Sequence, residues 1–223
     1  MSAHDSRRRV LLAVGVAFAT LVAPSILASP ASGQTVQTIP GIFGPEGVAC
    51  PSSTLCLAVG LNYNSNVGET VSLDSATGQV ASGQSVQTIS GSAILEDVAC
   101  ASATLCLAVG ENASDVGVAV PLDPATGEVL SGQSVQTIAG TEILEDVACA
   151  SATLCVGAAS SASGASLVVP LDPATGQVVS GQSVQTNPAG IDGLACTSGT
   201  LCLGVGMGGP TGLDGVAVPI RCV

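Results

Sequence analysis

A unit of about 49 residues is written four times in this chain. The run Ser32-Gly33-Gln34-Thr35-Val36-Gln37-Thr38 returns from Ser82, Ser131 and Ser180, and a C-x5-C pair closes on Cys50/Cys56, Cys100/Cys106, Cys149/Cys155 and Cys196/Cys202. A period of this length, built from short apolar runs, is one supersecondary unit that cannot bury its faces alone, so neighbouring units must stack. The four units fill residues 32–223, which are expected to form one repeat domain.

Residues 1–31 differ from the repeats. Arg7, Arg8 and Arg9 precede an apolar run from Val10 to Ala23, and Ser29-Pro30-Ala31 offers small residues where a signal peptidase reads. This order predicts a cleaved signal peptide and a secreted or cell-envelope address. Ser6 to Leu11 also resembles a twin-arginine signal, and the general secretory route fits as well.

After residue 31 one basic residue, Arg221, faces 15 acidic ones, for a net charge near −14. Such a field repels phosphate backbones and anionic lipids, so nucleic acid and, once the signal is removed, membrane are excluded as partners. It favours cations. The same segment has no Lys and no His, which excludes a Ser-His-Asp triad, a Schiff base and histidine-ligated metal.

Nine cysteines in an exported chain point to disulfides, and the repeat selects the pairing: each C-x5-C closes within its own unit. Zinc, the rival, prefers closer spacing and further ligands. Cys222 is left over and offers a link to a second chain.

Within one unit, Leu95–Cys100, Leu105–Gly110 and Val116–Leu122 read as strands, and Glu128–Ile138 holds a fourth, the most polar. Asp123-Pro124-Ala125-Thr126-Gly127 is a turn, with Pro setting φ and Gly taking the positive-φ position. No 3.6-residue apolar period appears after the signal. Four antiparallel strands per unit is the plan of a propeller blade, so the expected fold is all-β, a four-bladed propeller-like ring. Thr35–Ile39 reads as a fourth strand without a blade before it, and the last unit has three strands, so that segment is expected to close the last blade. Another repeat β-assembly remains the alternative.

Val98-Ala99-Cys100-Ala101-Ser102-Ala103-Thr104-Leu105-Cys106-Leu107-Ala108-Val109-Gly110 resembles the Cys-paired repeats of secreted bacterial propeller-like proteins. The resemblance covers all four units and implies a fold and an address, not a reaction. Leu122–Val129 also resembles the turn of quinone-cofactor propellers, but those use tryptophan, and this chain has none; no cofactor is expected.

Glu46, Glu96, Glu145 and Asp192 each stand four residues before the first cysteine of their unit. On innermost strands they would meet at one mouth of a channel, where hard cations such as calcium take carboxylate oxygens; the alternative is a set of solvated acids. The functional expectation is a non-catalytic binding or surface-interaction module with an unidentified protein or surface ligand. Its alternatives are a carboxylate-dependent hydrolase using two of these acids and a structural envelope component.

Overall fold

A computed structural model describes residues 36–209 and 212–221. The signal segment 1–31 and Cys222 lie outside the described residues.

Each unit folds as an antiparallel sheet, with strands added in chain order. The first holds β1 (Gly44–Ala49), β2 (Leu55–Asn62), β3 (Val67–Asp74) and β4 (Gln87–Ile89). The second holds β5 (Ile94–Ser102), β6 (Leu105–Glu111), β7 (Gly117–Leu122) and β8 (Gln136–Thr137). The third holds β9 (Ile143–Ser151), β10 (Leu154–Ser160), β11 (Ser166–Leu171) and β12 (Gln185–Asn187). The fourth has three strands, β13 (Gly193–Ser198), β14 (Leu201–Gly208) and β15 (Asp214–Arg221).

The sheets are stapled as the spacing predicts. Cys50–Cys56, Cys100–Cys106, Cys149–Cys155 and Cys196–Cys202 are disulfides. Cys100 stands opposite Cys106 in the β5–β6 ladder, and the third and fourth sheets repeat that pairing.

Alternation along the second strand of each sheet makes two apolar faces. In β2, Cys56 and Ala58 share one face with their cross-strand partners Leu73 and Val71, and Leu57 and Val59 take the other. The leucine face of one sheet packs on the cysteine face of the next. Leu57 and Val59 join Cys106, Ala108, Val120 and Leu122; Leu107 and Val109 join Cys155, Val169 and Leu171; Val156 and Val168 join Cys202, Cys196 and Ile220. Burial on both faces explains why the middle strands read as unbroken apolar runs. The first strands β1, β5, β9 and β13 pack in sequence along one side of the stack.

The polar tail after each third strand is fixed by its turn. Gly127 N–H donates to Asp123 O at 2.8 Å, Ala125 N–H donates to Asp123 Oδ1 at 2.8 Å, and Gly127 sits at φ +76°. The Asp74 and Asp172 turns repeat this, with Gly78 at +70° and Gly176 at +73°. The Asp123 turn is also gripped by the preceding sheet: Ser72 Oγ donates to Pro124 O at 2.7 Å, and Thr70 Oγ1 donates to Gly127 O, both buried. The paired part of the fourth strand is shorter than the sequence suggests. Only Gln136–Thr137 form β8, preceded by an isolated bridge between Leu122 and Val129.

No closed sheet is present, and β15 pairs with β14 alone among the described residues. The expected closure of the last sheet by Thr35–Ile39 is not present as strand pairing among the described residues; Ile39 packs on the cluster of Cys56, Ala58, Val71 and Leu73 in the first sheet, as Ile89 of the first sheet packs on the second.

Candidate functional site

The four repeated acids lie on or directly before the first strands. A β-bulge interrupts each of the first three, between Pro45 and Gly47, between Leu95 and Asp97, and between Leu144 and Asp146. The extra residue is Glu46, Glu96 or Glu145. A bulge lifts its extra residue off the ladder and re-aims its side chain, so the repeated acid position is a repeated backbone irregularity. Asp192 directly precedes β13, and its N–H donates to Val205 O at 2.8 Å.

Glu96 senses two of the other three acids. The Glu96 carboxyl is pushed above its ordinary range first by burial, then by repulsion from Glu46, Glu111 and Glu145. Glu46, Glu145 and Asp192 are exposed and Glu96 is half-buried. No three Asp, Glu, His or Cys side chains among the described residues converge as a metal-ligand group.

The next residue along each bulge has a different task. Asp97 Oδ2 accepts the Val147 amide proton from the neighbouring sheet at 3.0 Å, and Asp146 Oδ2 accepts that of Leu194 at 2.6 Å. Asp97 also hydrogen-bonds to the Asp146 carboxyl; burial first and this contact second push Asp97 up to about 7, against the lowering pull of the Val147 and Val98 amides. These acids are sheet-to-sheet fasteners. The first and fourth units carry Gly47 and Gly193 at this position. A Cβ on Gly47 would fall 2.7 Å from the Asp97 Cα, so the first step of the stack has no room for an aspartate there.

One acid was not singled out in sequence. Glu69 replaces the aliphatic residue that Val118 and Leu167 supply in later units, and it is 4% exposed. Asn62 Nδ2 donates to its Oε1 at 2.8 Å, while Oε2 has no hydrogen-bond partner. The signal was an acid inside an otherwise apolar middle strand.

No protein-family model matches the chain, and no curated protein matches it. Among solved structures it is similar to hydrazine synthase from Kuenenia stuttgartiensis, 13% identical over 82% of this chain and 60% of that one, with a TM-score of 0.59. A regucalcin described as calcium-binding, from Agrobacterium tumefaciens, is 14% identical over 79% of this chain and 73% of that one, with a TM-score of 0.34. The hydrazine synthase neighbour is of propeller type. The chain spans 60% of the length of the hydrazine synthase chain, and at this identity the likeness speaks of fold alone. The fold is all-β, four antiparallel sheets of disulfide-stapled repeats. Disulfides in every unit fit an oxidising, extracellular environment. No helix among the described residues is long and apolar enough to cross a membrane.

Proposed function

We propose that the protein is a secreted, non-catalytic binding module, and that the row of acids on its first strands receives a cationic partner. The observation that carries the reading is the threefold bulge, which presents Glu46, Glu96 and Glu145 close enough for Glu46 and Glu145 to raise the Glu96 pKa. Mutual repulsion is a cost to the free protein, and a positively charged ligand relieves it. Binding energy is thereby stored in the unliganded state.

A basic peptide or protein surface is the simplest ligand class, because the row is extended. Polylysine serves as the probe. Its binding should weaken with salt and should weaken several-fold in a Glu96→Gln, Glu145→Gln variant. Equal binding by wild type and variant sinks the assignment of the row.

Calcium is the inorganic ligand of the same reading. A rise in Tm with calcium that exceeds the rise with magnesium, and that the same variant loses, supports it; a common response of both proteins removes it.

A further inference from the structure

In the first three sheets a tail folds back along the third strand and seals its edge. Val80, Val129 and Val178 bridge to Leu73, Leu122 and Leu171. The residue after each valine donates its N–H to the carbonyl of Ser72, Pro121 or Pro170, at 2.8, 2.9 and 3.0 Å. Six residues after the first valine a second one, Val86, Val135 or Val184, packs on the same sheet. The Gln-Thr pair that follows it forms the fourth strand. Beneath these tails Val71, Val120 and Val169 are 0% exposed.

The edge of β15 has no such seal. It pairs with β14 alone among the described residues, and Val216, Val218 and Ile220, the counterparts of buried side chains in the other sheets, are half-buried. A groove of about 340 Å³ follows this edge, lined by Val168, Gln185 and Asn187 of the third sheet and by Val218, Ile220 and Arg221 of the fourth. Asn187 stands at the position of Ile89, and its Nδ2 is buried without a hydrogen-bond partner. A buried donor of this kind costs free energy until an acceptor reaches it.

The residue that turns each tail back is also changed. Asp74, Asp123 and Asp172 accept amide protons of their turns through Oδ1. Arg221 holds the corresponding position, opposite Leu201 as Asp74 is opposite Leu55, and a guanidinium accepts no proton. The fourth sheet therefore lacks the cap that folds a tail along its third strand. The run Val36-Gln37-Thr38 carries the second half of the tail pattern, but Pro30 stands where the tails have their first valine, and Ile39 packs on the first sheet.

We propose that the β15 edge binds an extended segment of a separate protein, one that carries the tail pattern Val-x5-Val-Gln-Thr, by strand addition. The three tails set the register. The first valine lies opposite Ile220, as Val129 lies opposite Leu122. The glutamine lies opposite Ala217 and the threonine opposite Val216, as Gln136 and Thr137 lie opposite Ala119 and Val118. The two valines cover Val218 and Ile220, and the carbonyl of Pro219 receives the N–H that Pro121 O receives from Leu130. Charge selects the residue before the first valine. In the second tail this is Glu128, whose carbonyl accepts the Asp123 N–H at 2.9 Å. With Arg221 in place of that aspartate, an acidic residue in the incoming segment meets the one basic side chain among the described residues.

A labelled synthetic peptide with the sequence of residues 128–137, added to the full, disulfide-intact chain, tests the proposal. Fluorescence anisotropy should show saturable binding, and the same peptide with both valines replaced by aspartate should show none. Hydrogen exchange should slow at the amides of β15 and stay unchanged in the first sheet. Arg221→Glu should weaken binding several-fold, and a peptide with lysine in place of its glutamate should recover the loss on that variant. Absence of saturable binding, or binding that ignores both the valines and the Arg221 reversal, overturns the proposal. Sedimentation distinguishes a second copy from a separate protein: dimers that grow with concentration and dissociate when the peptide is added would make this chain its own occupant and overturn the choice of partner.

Discussion

The carboxylate of Asp97 accepts the amide proton of Val147, 50 residues further along the chain, at 3.0 Å. One unit is thereby tied to the next through a backbone amide two residues beyond the extra residue of the β9 bulge, and Asp146 repeats the device toward Leu194.

Stability should fall as pH rises through this fastener. Asp97 is held at about 7 in the folded protein, against an ordinary 3.8, chiefly by burial. The folded state therefore keeps a proton that the unfolded chain has released, and between these two values each step up in pH lowers the stability of the fold. Denaturant melts should show a decline from about pH 4 to pH 7 and a plateau above. Asp97→Asn imitates the protonated acid, can still accept from Val147, and should flatten the decline. A variant with the wild-type slope would show that the pH dependence arises elsewhere.

The turn clamp is local and separable. Ser72→Ala removes the buried bond to Pro124 O and leaves that carbonyl without its donor, at a cost of about 1 to 3 kcal/mol. Ser75→Ala, which deletes an exposed bond to Ser53 O, should cost under about 0.5 kcal/mol. Equilibrium unfolding of the two variants side by side checks the difference.

Equivalent leucines should respond unequally. Leu107→Ala opens a cavity between the second and third sheets and should cost about 2 to 5 kcal/mol. Leu203→Ala, at the same repeat position on an exposed face, should cost less than about 1 kcal/mol. Similar losses at both positions would mean that the fourth sheet is covered within the chain.

Alkylation without reduction should spare Cys50, Cys56, Cys100, Cys106, Cys149, Cys155, Cys196 and Cys202. Replacing Cys100 and Cys106 together by alanine should cost about 2 kcal/mol, the loop-closure entropy of so short a ring. Mass spectrometry and thermal melts read both outcomes.

The sheets, their strand order and the staples were legible because each rests on a local signal repeated three or four times. The turn after Asp123 could be read from Pro124 and Gly127 alone. The extent of the fourth strand could not: Gln133 and Ser134 look like strand edge residues, but the ladder forms only at Gln136 and Thr137. Nor could the neighbour of Val36–Ile39 be read, since that depends on where the first and last sheets lie relative to each other. At the candidate site, the repeated acid was visible but its bulge was not, because Glu96 and Asp97 look alike in sequence and only pairing register separates them. The fastening role of Asp97 and Asp146 had one readable trace, their replacement by glycine in the first and fourth units.

The links between sheets are short. Four residues join β4 to β5 and five join β8 to β9, and each link is bent further by a tight turn, Ser92 N–H to Ile89 O and Thr141 N–H to Ile138 O. Extended chain covers about 3.5 Å per residue, and packed sheets stand about 10 Å apart. A bent link of that length reaches the adjacent layer and falls short of the one beyond. The faces that meet are near copies, so side-chain chemistry alone offers each sheet several acceptable partners during folding. Tether length makes the choice, which lets the four units stay alike in sequence without assembling in the wrong order.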